Sequence, residues 1–303
     1  MGQLSITGSR RVSWGTVPAR VRDAVEERLG SPVAGAVDLA GGFSEGVAAR
    51  LRLADGRDVF VKAAAEPVVA GFHRREGGVA ARLPRAVPSP LLLFALAVDP
   101  WVVLGFEFVA GRLPARPWRD DELRPVLDAA TRAADALTPA PFRPSTPPRL
   151  GGWAGLAADA VARVSPWAGA HLERLVALEA AGAHTLAGDT LLHGDLYAFN
   201  VLLDEDRKVY LVDWPHAWVG AAHCDVLTLM STAADPEPLL AANPLTAGLE
   251  PFAVDAFLAA HSGFLVRLAV TATGEADPNL VAMAAALGRG SLAWLSQRPY
   301  SAT

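Results

Sequence analysis

The hydrophobic positions change period along this chain. Thr16-Val17-Pro18 leads into Val21, Val25 and Leu29 at helical spacing, and Gly30-Ser31-Pro32 follows; this predicts a helix ending near Leu29. From 33 to 109 the pattern becomes short apolar runs set off by turn residues. Strands are expected over 33–39, 47–53, 58–62, 91–98 and 101–109, with Asp55-Gly56 as a hairpin signal and Asp99-Pro100 as a break. One helical stretch interrupts them: Val69, Phe72, Val79, Ala80 and Leu83 share a face over 67–83, and Glu76 falls on that face. Periodicity then stops over 107–117. Beyond it the spacing is mostly helical, at 118–137, 154–164, 168–181, 222–234, 251–271 and 279–297. Five prolines between 138 and 148 predict a surface loop. Two short apolar runs, 201–203 and 209–212, with a charged turn between them, read as a hairpin inside the helical part. The expected class is α+β with two lobes. The small one (1–109) holds a five-stranded antiparallel sheet and one main helix. A hinge follows at 110–117, and a larger, mostly helical lobe covers 118–303.

Polar groups stand just outside that hairpin. Asp195 comes first, Asn200 follows five residues later, and Asp213 closes the second run. Two carboxylates and an amide are oxygen donors suited to a hard cation, with one carboxylate left over as a base. In the small lobe, a glycine-rich stretch, Gly41-Gly42-Phe43-Ser44-Glu45-Gly46, joins two antiparallel strands. Dinucleotide-binding units and P-loops place their glycines between a strand and a helix instead. The third strand carries Lys62. Glu76 on an apolar stripe needs a cationic partner or a raised pKa. Lys62 is the partner expected, with Arg74 and Arg75 as competitors. Gly77-Gly78 weakens that helix for no reason legible in the sequence. The hinge that begins at Glu107 leaves backbone groups, those of Glu107 and Val109 among them, available to an adenine edge.

Composition narrows the picture. The 303 residues are 51% hydrophobic and 19% charged, as in a globular protein. The net charge of −5 does not suggest a nucleic-acid partner. Residues 1–114 hold 14 Lys/Arg against 11 Asp/Glu, and 115–303 hold 13 against 21. A slightly basic front and an acidic back suit an anionic cofactor on one and a cationic substrate on the other. The acidic run Asp120-Asp121-Glu122 is a candidate for such a cation, and also for ordinary helix-dipole complementarity. A single Cys224 excludes an internal disulfide and a cysteine metal cluster. Neither an apolar signal core nor an uninterrupted membrane-length run is present, so a cytoplasmic protein without a membrane partner is expected.

The order of glycine loop, strand lysine, helix glutamate, hinge, His193-Gly194-Asp195-Leu196 with Asn200, and Leu211-Val212-Asp213-Trp214 resembles the aminoglycoside phosphotransferase family, within the protein-kinase-like fold. Choline, homoserine, fructosamine and macrolide kinases are similar. The resemblance runs from about Val33 to Asp225. It implies an ATP- and Mg²⁺-dependent transfer of phosphate to a hydroxyl of a small molecule. Asp195 would be the catalytic base, and Asn200 and Asp213 the metal ligands. Lys62, fixed by Glu76, would meet the phosphates under backbone groups of Gly42, Ser44 and Gly46. His193 and Asp225 would be structural, Asp225 as an N-cap that anchors the catalytic loop. Trp214, His216 and Trp218 are candidates for an aromatic wall at the acceptor. Gly194 stands where protein kinases have arginine, and only eleven residues separate Asp213 from Asp225. A long regulatory segment, and with it a protein substrate, is not expected. The first substrate expectation is an aminoglycoside or related amino-sugar antibiotic. The alternatives are a kinase of choline, homoserine, fructosamine or another sugar, and a non-catalytic nucleotide-binding protein of the same fold.

Overall fold

The computed structural model describes residues 12–39, 46–273 and 276–299. They form two compact units. One holds 12–113 together with 202–215, and the other holds 114–201 with 216–299. The hairpin after Asn200 thus groups with the strands of the first unit, whereas the sequence pattern had placed it in the helical part.

In the first unit, helix α1 (Ala19–Leu29) buries Val21, Val25 and Leu29 and stops at Gly30, whose left-handed backbone lets its N–H reach Glu26 O at 2.8 Å. Strands β1 (Val33–Asp38), β2 (Val47–Leu53), β3 (Asp58–Ala64), β4 (Leu92–Val98) and β5 (Trp101–Glu107) form one antiparallel sheet in the order β1-β2-β3-β5-β4. Leu51, Leu53, Val59, Val61, Phe94 and Val103 form its core with Trp14 and the apolar face of α1. Helix α2 (Pro67–Ala80) packs on β3 and β5. It starts where the Glu66 carboxylate accepts the N–H groups of Val68 and Val69, with Pro67 in the first turn. It ends three residues before the expected Leu83. One of the two adjacent glycines, Gly77, now has a reason, while Gly78 faces open space. A Cβ on Gly77 would come within 2.8 Å of Leu104 Cδ2, so glycine lets α2 lie close on β5. Strand β6 (Gly111–Arg112) pairs with β8 (Val201–Asp204), which pairs with β9 (Val209–Leu211); β7 belongs to the other unit.

The second unit is helical, with α3 (Asp120–Ala136), α4 (Ala158–Val164), α5 (Pro166–Ala170), α6 (Leu172–Gly182), α7 (His223–Met230), α8 (Glu237–Ala242), α9 (Pro251–Thr271) and α10 (Pro278–Gln297). Strands β7 (Thr190–Leu192) and β10 (Trp218–Gly220) form an antiparallel ribbon that the sequence pattern did not predict. The helix expected over 168–181 is divided at His171, and α8 was not anticipated. Helix α9 is long and apolar enough to cross a membrane by length and composition, but 72% of its apolar window is buried. An all-round apolar helix of that kind is a core element, and α9 packs against α6, α7 and α10. Its polar residues are paired: Asp255 takes Arg298, and His261 bridges Tyr197 and Ser291.

Candidate active site

Each unit assembles one group of the residues singled out above. In the first, β3 and α2 bring Lys62 and Glu76 together: Lys62 Nζ stands 2.8 Å and 3.0 Å from the two carboxylate oxygens, and 3.1 Å from Asp213 Oδ1. Arg74 and Arg75 are not the partners of Glu76. Burial works against the Lys62 ammonium, but the carboxylates of Asp213 and Glu76 outweigh it and hold its pKa up. Burial pushes the Glu76 carboxyl up, with Lys62 acting against it. Asp213 follows β9 with φ at +70°, a left-handed backbone uncommon outside glycine. That turn aims a carboxylate back at Lys62 while leaving its side chain 45% exposed.

Other expectations in this unit fare differently. Gly42 and Ser44 lie outside the described residues. Gly46 is described, and its carbonyl accepts the Val12 N–H at 3.2 Å. Glu107 is the last residue of β5 and is not a free hinge residue. It pairs with Val59, and its N–H donates to Leu91 O at 3.0 Å. Val109 lies just past the strand, half-buried. Trp214 is not an exposed wall residue. It is 3% exposed, and its indole N–H donates to Leu211 O at 3.1 Å, which is a packing role.

In the second unit, β7 leads into the loop that carries His193, Gly194 and Asp195. Gly194 has φ at +77°, and a Cβ there would sit 2.3 Å from His216 O; no side chain fits, and the arginine of protein kinases least of all. The Asp225 carboxylate accepts the N–H of His193 at 2.7 Å and of Gly194 at 3.1 Å. Asp225 is the third residue of α7, so the expected N-cap role is corrected: it braces the loop from inside the first helical turn. Burial raises its pKa, and the His193 and Gly194 bonds offset part of that. The His193 ring accepts the Asp195 N–H at Nδ1, 3.3 Å, which leaves the ring proton on Nε2. Asn200 donates from Nδ2 to Asp195 O at 2.7 Å and to Asp195 Oδ2 at 3.2 Å. With its nitrogen held there, the amide oxygen faces the other way and is suited to be a ligand.

The sequence reading missed Arg149, whose Nη1 pairs with Asp195 Oδ1 at 2.8 Å. It stands at the end of the proline loop, where no periodicity marks a contact 46 residues ahead. Trp218 lines the cavity next to Asp195, and His216 abuts Gly194 through its carbonyl. Two residues of the acidic run at the start of α3 are taken up locally: Glu122 is buried and accepts the Ala115 N–H at 2.8 Å, and Asp121 pairs with Arg119, while Asp120 is exposed.

No group of three or more His, Cys, Asp or Glu placed to hold a metal ion exists among the described residues. Asp213 in the first unit offers a half-exposed carboxylate and Asn200 in the second an amide oxygen, each an oxygen donor of the kind Mg²⁺ accepts alongside water and phosphate oxygens.

Comparison with curated protein sequences gives no match. Among solved structures, the aminoglycoside phosphotransferase APH(4)-Ia is similar at 18% identity, with TM-score 0.59, over 92% of this chain and 99% of that one. Macrolide 2'-phosphotransferase type I is similar at 20% identity, with TM-score 0.58, over 88% and 95%. Choline kinase LicA from Streptococcus pneumoniae has TM-score 0.63 at 10% identity, over 91% and 100%. At these identities the likeness is one of fold, and it is the protein-kinase-like fold. The family model described as the phosphotransferase enzyme family matches residues 39–261, and the chain belongs to that family.

Proposed function

We propose that the protein transfers the γ-phosphoryl group of ATP to a hydroxyl of a small molecule, with Mg²⁺. The observation that carries this reading is Lys62 clasped between Glu76 and Asp213. A buried ammonium held by two carboxylates is costly as mere architecture, and it is well placed to meet a phosphate. The acceptor oxygen forms a bond to the γ-phosphorus as the bond to the β–γ bridging oxygen breaks. ADP leaves with that electron pair, and the hydroxyl proton passes to Asp195. A carboxylate suffices as base because the transition state is loose. Asn200 and Asp213 would each offer the metal one oxygen, and Mg²⁺, when bound, neutralises charge on the phosphates. Backbone groups of Gly42, Ser44 and Gly46 would cover the phosphates, and Val109 with the Glu107 carbonyl would meet the adenine edge. His193 and Asp225 hold Asp195 in place.

For the acceptor, the family supports an amino-sugar or a small metabolite. The charge beside Asp195 favours the metabolite, since Arg149 occupies the place where a polycation would need acid. The test is ADP release on a panel of aminoglycosides, amino-sugars, choline, homoserine and sugars, repeated with Asp195→Ala. Turnover is expected to fall by about 10²–10⁴ in the variant. Undiminished phosphorylation in Asp195→Ala would overturn the reading.

A further inference from the structure

The cavity beside Asp195 is lined by Arg149, Tyr197, Trp218, Phe257, His261 and Phe264, among others. Arg149 reaches it on a strap, 149–153, that is tied down by its backbone. Gly151 N–H donates to Ala260 O at 2.6 Å, and Gly152 N–H donates to both oxygens of Glu179, at 2.9 and 3.1 Å. Fully buried Trp153 donates Nε1–H to Ala259 O at 2.7 Å. Two consecutive carbonyls of α9 and one carboxylate of α6 thus fix where the strap runs.

The guanidinium delivered there lies 4.9 Å over the Phe264 ring and pairs with one oxygen of Asp195. No other polar partner of Arg149 is present among the described residues. An arginine has five N–H donors, so most of its fork is available. Arg267 places a second guanidinium 5.6 Å over the same ring. The nearby acids are engaged elsewhere: Asp225 holds the N–H groups of His193 and Gly194, and Glu179 holds Gly152. An ammonium brought to Asp195 would therefore meet a like charge beside a base that is only 20% exposed, which is costly. A planar anion would find a planar fork lying over an aromatic ring, a group suited to reading carboxylates.

We infer that the acceptor is a hydroxy acid: a small molecule whose carboxylate is read by Arg149 while its hydroxyl faces Asp195. The inference rests on the phosphotransfer reading above. The carboxylate is unchanged in the reaction. The products are the phosphate monoester of the hydroxy acid and ADP, with the hydroxyl proton taken by Asp195. In this account Arg149 has two states, paired with the base when the cavity is empty and shared with the substrate carboxylate when it is filled.

The test uses two matched triplets of acceptors, D-glycerate with glycerol and serinol, and gluconate with glucose and glucosamine. Binding is measured by tryptophan fluorescence with ATP and Mg²⁺ present, and turnover by ADP release, for the parent, Arg149→Met and Arg149→Lys. The parent is expected to prefer the acid of at least one triplet. Arg149→Met should lose about ten- to a hundredfold of that preference. Arg149→Lys should recover part of it, since it keeps the charge but not the fork, and added guanidinium should restore part of the Met variant's KM. A parent that prefers the amine or the neutral member, or binds neither acid, overturns the inference. So does a preference for the acid that survives in Arg149→Met. Anion-selective binding that depends on Arg149 but comes without phosphate transfer supports the inference and counts against the phosphotransfer reading instead.

Discussion

Asp225 and His193, 32 positions apart, are joined by a 2.7 Å bond from the His193 backbone N–H to the Asp225 carboxylate. The other oxygen of the same carboxylate takes Gly194, so the segment that presents Asp195 is pinned to the first turn of α7. Asp225→Ala strands two N–H groups at about 1–3 kcal/mol each. Asp225→Asn keeps one acceptor oxygen. Urea denaturation should rank the parent above the Asn variant and the Asn variant above the Ala variant. The rate of ADP release should follow the same order, because the loop and not the base itself is disturbed.

Lys62→Met leaves Glu76 as a buried acid, 2% exposed, without its cation. The expected loss is about 3–5 kcal/mol of stability. The double variant Lys62→Met with Glu76→Leu should regain most of it in equilibrium unfolding and none of the nucleotide turnover. Recovery of both would remove Lys62 from phosphate binding.

Gly194→Ala should be poorly tolerated although alanine adds one methyl. Its left-handed backbone costs an L-residue about 1–2 kcal/mol, and the methyl would press on the His216 carbonyl. A carbonyl in the main chain cannot swing aside as a side chain would. The Tm should fall by several degrees, and kcat should drop with it.

Three buried histidines contribute to the acid limit of stability, and burial with Lys62 nearby pulls the first, His73, down to about 4. Burial pulls His223 down to about 4, and burial with Arg149 nearby pulls His261 down to about 3. Tyr197 and Ser291 hold the His261 ring as the neutral form. All three folded values lie below the ordinary value of about 6.5, so the unfolded chain binds protons first on acidification. Stability is complete above pH 6.5 and declines as pH falls toward 4, by about 1.4 kcal/mol per unit for each histidine. Urea midpoints between pH 4 and 7 check this, and His223→Gln should flatten the slope by one proton.

Much of this was legible because it is local. The five strands, α1, the Lys62–Glu76 pair and the nearness of Asn200 to Asp195 follow from short patterns along the chain. What escaped depends on approach from afar. Trp214 could not be sorted into wall or core, because an aromatic after a strand looks the same in either. Asp225 reads as a helix opener in sequence, and only the start of α7 at His223 places it one turn in. Gly77 makes sense once Leu104 of β5 lies against it. Arg149 carries no periodic signal at all, since prolines precede it and glycines follow it.

The strap that carries Arg149 is secured by main-chain groups of Gly151 and Gly152 and by the Trp153 indole, while the Arg149 side chain itself pairs with Asp195 and lies over Phe264. The position is therefore a socket. On the inference above, an exchange there would change which charge the acceptor wears, and because Arg149 also pairs with Asp195 Oδ1 it would change the surroundings of the base as well. If the inference holds, two chains that share the His-Gly-Asp and metal motifs would differ in acceptor charge where position 149 differs, and grouping by motif alone would not register it.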